Sequence, residues 1–83
     1  MNQVDDASAL AKIKNLEQEI EHFKQKLSEC EKKIKYFREK EDHQKKIFFA
    51  QEIFNLQQEK LVIQTEIKFR QNKITKLRFE LNS

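Results

Sequence analysis

The chain of 83 residues contains no glycine, no proline and no tryptophan, and it has a single cysteine, Cys30. Each absence excludes something. Without the positive φ of Gly or the fixed φ of Pro the backbone has few easy ways to reverse direction, so a compact fold with many tight turns is excluded. A lone cysteine cannot close an intrachain disulfide, which agrees with a reducing compartment. The longest apolar run, Ile47 to Ala50, falls far short of the roughly 20 residues of a membrane-spanning helix. The opening stretch MNQVDDASAL lacks the basic start and apolar core of a signal peptide. The expectation is therefore an intracellular protein of the cytoplasm or nucleus, neither secreted nor transmembrane.

Charge is abundant: 37% of the residues are Asp, Glu, Lys or Arg, and with Gln, Leu and Ile they make up a composition typical of long helices and coiled coils. So polar a chain would be disordered if its apolar residues were scattered, but they are regularly spaced. From Ile13 they fall at Leu16, Ile20, Phe23, Leu27, Cys30, Ile34 and Phe37, alternating steps of three and four. This is a heptad seam with Ile13, Ile20, Leu27 and Ile34 at the a positions and Leu16, Phe23, Cys30 and Phe37 at d. Asp5 or Asp6 offers an N-cap just upstream. A second seam follows at Phe49, Ile53, Leu56, Ile63, Ile67, Ile74, Leu77 and Leu81, with Lys60 and Arg70 in its two polar slots, and it is out of register with the first.

Between the seams lies the polar stretch FREKEDHQKKIFF, residues 37–49. A register break across a polar gap is produced either by a loop or by one helix that departs from heptads. Stepping 100° per residue puts the two seams on nearly the same face of a single straight helix, and the similar stretches KIKYFREK and EIKFRQNK place Ile34 and Ile67 three units of eleven apart. Between Ser28 and Asn55 there is no Ser, Thr, Asn, Gly or Pro to interrupt helix propensity. The fold class expected is thus all-α, a long and nearly continuous coiled-coil helix over residues 7–81 with a polar gap at 38–46, a lead-in over 1–6 and an end at 82–83. The alternative is an antiparallel helical hairpin turning near residues 41–45, where Asp42 would cap the second helix.

The C-terminal half carries more apolar surface than one seam needs. Ile47, Phe54 and Leu61, spaced by sevens, cluster with Ala50 and Phe79 on a second stripe, with Val62 and Phe69 beside it. Either large aromatics simply widen one seam, or the stripe is a second interface for a further helix. Charge is also unevenly divided. Residues 1–42 carry nine basic against ten acidic side chains, and residues 43–83 carry eight against four, which tilts any pairing of the halves towards antiparallel.

No residue pattern supports catalysis. Cys30 has no second Cys or nearby His and reads as a small buried apolar side chain; His22 and His43 lack ligand partners at metal spacing; Glu17, Glu19 and Glu21 point in different directions on a helix. No catalytic residue, metal or cofactor is expected. Lys68, Arg70, Lys73, Lys76 and Arg78 form a run without an acid, yet they are spread around the wheel instead of lining one face. Nucleic-acid and membrane partners are accordingly disfavoured. The function expected is a structural coiled-coil assembly module of a larger intracellular complex, of cytoskeletal, centrosomal, kinetochore or chromosome-axis type. Its partners would be further copies of itself, antiparallel for preference, or another coiled-coil protein. The alternative is a helical adaptor whose basic C-terminal half binds an anionic partner: nucleic acid, a membrane surface or an acidic protein.

Overall fold

In a computed structural model that describes residues 6–82, the chain is all-α and consists of two helices, α1 (Asp6–Lys40) and α2 (Ala50–Leu81), folded back on each other as an antiparallel coiled-coil hairpin. Across its length the hairpin measures 16 × 14 Å between Cα atoms, the width of two helices side by side. The 35 residues of α1 span about 52 Å at 1.5 Å per residue. Asp5, the remainder of the expected lead-in and the final residue lie outside the described residues; Asp6 occupies the first turn of α1, where its charge suits the positive end of the helix dipole.

The expectation of a coiled coil holds, and of its two forms the chain adopts the hairpin, so the nearly continuous helix is corrected here. Its physical cause is a turn built from carboxylates. Asp42 Oδ1 accepts hydrogen bonds from the backbone N–H groups of Gln44 at 2.9 Å and Lys45 at 3.2 Å, the local side-chain bonding by which Asp initiates turns. Asp42 and Ile47 then exchange two backbone hydrogen bonds of 2.9 Å, forming an isolated antiparallel bridge. Lys46 takes φ 56°, a left-handed conformation normally left to Gly or Asn. The backbone of the reversal is thus satisfied without glycine or proline. Glu41 Oε2 accepts from the N–H of Phe49 at 3.1 Å, tying the end of α1 to the start of α2.

Aromatic packing closes the base of the turn. The Phe37 and Phe49 rings, the last and first residues of the two seams, meet at 5.1 Å between centroids, within the range in which aromatic pairs attract. The His43 and Phe48 rings stack edge-on at 5.3 Å across the outer part of the loop. The agreement in phase between the two seams reflects no shared helix. Each seam keeps its heptad within its own helix, and the nine residues 41–49 absorb the register difference.

Candidate interaction surfaces

The inner surface is the seam between the helices. Ile13, Ile20, Cys30, Ile63, Ile67 and Ile74 form its buried core, and Leu16, Phe23, Leu27, Leu56, Leu77 and Leu81 pack against them partly buried. Ile34 is also buried, while Phe37, Phe49 and Ile53 are half-buried near the turn. The residues predicted for the heptad interface, apart from Ile34, Phe37, Phe49 and Ile53, thus pack in one cluster closed within a single chain. Sequence periodicity identified the residues without distinguishing an intramolecular contact from one between copies. One seam position went unrecognised: Ala9, the most buried residue described, at 1% exposure, continues the d positions one step before Ile13. An alanine is common on any helix face, so only the extrapolated heptad could have indicated it.

The two polar slots of the second seam have specific partners. Arg70 donates from Nε to Glu19 of α1 at 3.0 Å and from Nη1 to Glu66 of its own helix at 2.6 Å, and its guanidinium lies 4.5 Å from the centre of the Phe23 ring. These hydrogen bonds, to Glu66 and then to Glu19, raise the guanidinium above its already high pKa. Lys60 reaches Glu31 at 3.8 Å, and Arg78 reaches Glu17 at 3.8 Å. Each of these cross-helix ion pairs joins a base of α2 to an acid of α1. This is the complementarity anticipated from the charge balance of the two halves. Cys30 lies in the seam, where burial, reinforced by nearby Glu59, pushes its thiol pKa up.

These contacts divide the five predicted anion-binding residues. Arg70 and Arg78 face α1 and are engaged with its carboxylates. Lys68, Lys73 and Lys76 are exposed, with Lys73 Nζ 4.5 Å over the Phe69 ring. They do not converge with the two arginines into one patch.

The outer surface is the opposite face of α2. Phe54 and Leu61 lie exposed there, as do Val62, Phe69 and Phe79, the last at 74%, whereas Ile47, predicted for the same stripe, is exposed in the turn before α2, where it is bridged to Asp42. The apolar stripe predicted here as a second interface is therefore separate from the seam and does not widen it. α1 segregates apolar from polar residues strongly, whereas α2 hardly does, because it is apolar on both sides. Between Ala50 and Thr65 its charged residues are Glu52, Glu59 and Lys60, which all fall on the seam side of the wheel. The outward half of that stretch is made of Gln, Asn, Thr, Phe, Leu, Val and Ala alone.

The concavities are open grooves along the flank of the helix pair; one is lined by Asn15, Gln18, Glu19, His22, Phe23 and Arg70. Among the described residues no group of three His, Cys, Asp or Glu side chains is placed to hold a metal, and no helix is long and apolar enough to cross a membrane. Compared with protein families, curated proteins and solved structures, the chain matches none.

Proposed function

We propose that this protein is a structural coiled-coil module that acts by helix packing and catalyses no reaction, as a part of a larger intracellular assembly of the cytoskeletal, centrosomal, kinetochore or chromosome-axis kind. One observation carries the reading: α2 is apolar on two faces, and the hairpin uses only one of them. A helix with apolar residues all round is the pattern of an inner helix in a bundle, covered on both sides. Contiguous exposed apolar surface of this kind marks interaction sites on soluble proteins.

The test is Leu61→Glu, since Leu61 is 55% exposed and its replacement leaves the seam intact. Helicity should stay close to that of the parent, while association is lost, measured as mass in solution and as the set of proteins cross-linked to the chain in cells. If neither self-association nor any cross-link depends on Leu61, the reading fails.

A second reading, an adaptor whose basic C-terminal half docks an anionic surface, draws support from the exposure of Lys68, Lys73 and Lys76. Against it, Arg70 and Arg78 are already paired with carboxylates of α1. Binding to a polyanion that falls steeply between 50 and 200 mM salt is the result this reading requires.

A further inference from the structure

We infer that the outward face of α2 is an isologous interface, and that its occupant is a second copy of this chain, laid antiparallel so that two hairpins form a four-helix bundle with the α2 helices inside and the α1 helices outside. The inference rests on the reading of the protein as a packing module and specifies the partner.

The order of residues along the stripe is itself two-fold. From Gln51 to Asn72 the outward positions run Gln51, Phe54, Gln58, Leu61, Val62, Thr65, Phe69, Asn72. Read from either end, the classes are the same: amide, aromatic, polar, aliphatic, then aliphatic, polar, aromatic, amide. A two-fold interface needs this symmetry, because each half must match the other half of its mate. With the axis midway between Leu61 and Val62, Phe54 falls in one layer with Phe69 of the mate, Gln58 with Thr65, and Gln51 with Asn72. The polar members therefore meet polar groups able to exchange hydrogen bonds, and the apolar members meet apolar ones.

Charge selects the same arrangement. The outward half of residues 50–65 carries no charge, so two copies approach there without repulsion. Lys68, Lys73 and Lys76 lie towards the other end of α2. A parallel pairing would stack these lysines on their own mates. The antiparallel pairing places Lys68 and Lys73 beside Asn55 and Ala50 of the second copy, and Lys76 towards its turn. Over residues 50–65 the outward face offers a partner no charge to read, and Lys68, Lys73 and Lys76 add only positive charge beyond it.

Area and burial agree. Phe54, Leu61, Val62 and Phe69 are 55–61% exposed and the four polar members are exposed, so that full cover of the stripe would bury at most roughly 600 Å2 from each copy, or about 1,200 Å2 in all, the lower end of the range for stable interfaces. The hairpin also lacks a thick core: among the described residues no large side chain is less than 2% exposed. Small chains with one thin core commonly gain stability by associating.

The experiment uses the full chain carrying Cys30→Ser, with a single new cysteine placed at position 61 or at position 54. In the antiparallel pair, residue 61 lies within about 1.5 Å along the axis of its own mate, whereas residue 54 is displaced from its mate by 15 residues, or about 22 Å. Leu61→Cys should oxidise to a covalent dimer and Phe54→Cys should not. The unoxidised protein should show twice the 10.1 kDa chain mass by sedimentation. Leu61→Glu should weaken dimerisation at least about tenfold by setting like charges together. Cross-linking at both positions would mean a parallel pair and overturn the proposal. So would a monomeric mass at 100 µM. Should that monomer still show Leu61-dependent cross-links to a different protein in cells, the second copy is excluded and the packing module stands; should it show none, both fall.

Discussion

The central carbon of the Arg70 guanidinium lies over the Phe23 ring, 4.5 Å from its centre, and from there the side chain reaches Glu19 across the helix pair. A cation thus occupies a seam slot where an Ile or Leu would be expected, with an aromatic ring beneath it and its N–H groups turned to the carboxylates of Glu19 and Glu66. Arg70→Lys should lower the melting temperature, because an ammonium keeps the charge but loses both the stacking and the fork. A double-mutant cycle with Glu19→Gln should show coupling that shrinks as salt is raised. Additive effects of the two substitutions would mean that the contact contributes nothing to the fold.

The turn gives a second prediction. Asp42 accepts from two backbone N–H groups of the turn, and its replacement by Ala should cost about 1 kcal/mol, the usual net contribution of such hydrogen bonds. Lys46, at φ 56°, should respond in the opposite direction: a left-handed conformation costs an L-residue about 1–2 kcal/mol, so Lys46→Gly or Lys46→Asn should raise the melting temperature by a few degrees. Thermal unfolding by circular dichroism checks both signs, and a fall with Lys46→Gly would exclude strain at this position.

The substitutions at Lys46 also indicate why the hairpin was harder to read from sequence than its seams. A heptad is a statement about spacing, and the eight-residue series from Ile13 to Phe37 and the series from Phe49 to Leu81 survive folding unchanged. A reversal is ordinarily announced by Gly or Pro, and this one is made instead by Asp42, by Glu41 capping Phe49, and by a lysine in a glycine conformation. Helix propensity alone runs straight through these residues. The coincidence in phase between the seams reinforced the continuous reading, although an antiparallel pair places no constraint on that phase. The second apolar stripe was legible at Phe54 and Leu61 because it stands on the same helix as a seam it cannot join, but not at Ile47, which the turn takes out of the helix. The ion pairs at Lys60, Arg70 and Arg78 were legible only as an imbalance between halves, since their partners are set by the register of the hairpin.

The seam and the outer stripe should separate energetically. Ile67 is buried at 8% exposure, and Ile67→Ala should destabilise the hairpin by about 2–4 kcal/mol. Ile67→Asp should prevent folding altogether, because it places a carboxylate in the seam without a partner. Leu61→Ala, on the outward face, should leave the unfolding free energy extrapolated to a monomer within about 0.5 kcal/mol of the parent. Equal losses at the two positions would mean that the exposed and buried faces have been assigned the wrong way round.

Cys30 provides a reporter inside the seam. It is 4% exposed, so an alkylating reagent reaches it only when the helices part, and labelling should be slower than in denaturant by a factor that follows the closed-to-open ratio. Ile67→Ala should speed the reaction, whereas Leu61→Ala at low concentration should not. The same thiol makes stability depend on pH in a defined direction. Burial raises its pKa in the folded chain, with Glu59 adding to the effect, so the folded state holds the proton more tightly than the unfolded one. The associated stability is fully present below the unfolded thiol pKa of about 8.5 and is lost as pH rises through the higher folded value. Cys30→Ala should remove that part of the alkaline decline while leaving its own cost from lost volume at every pH. Parallel curves for parent and variant between pH 7 and 10 would show that the thiol ionises as readily in the folded hairpin as in the open chain.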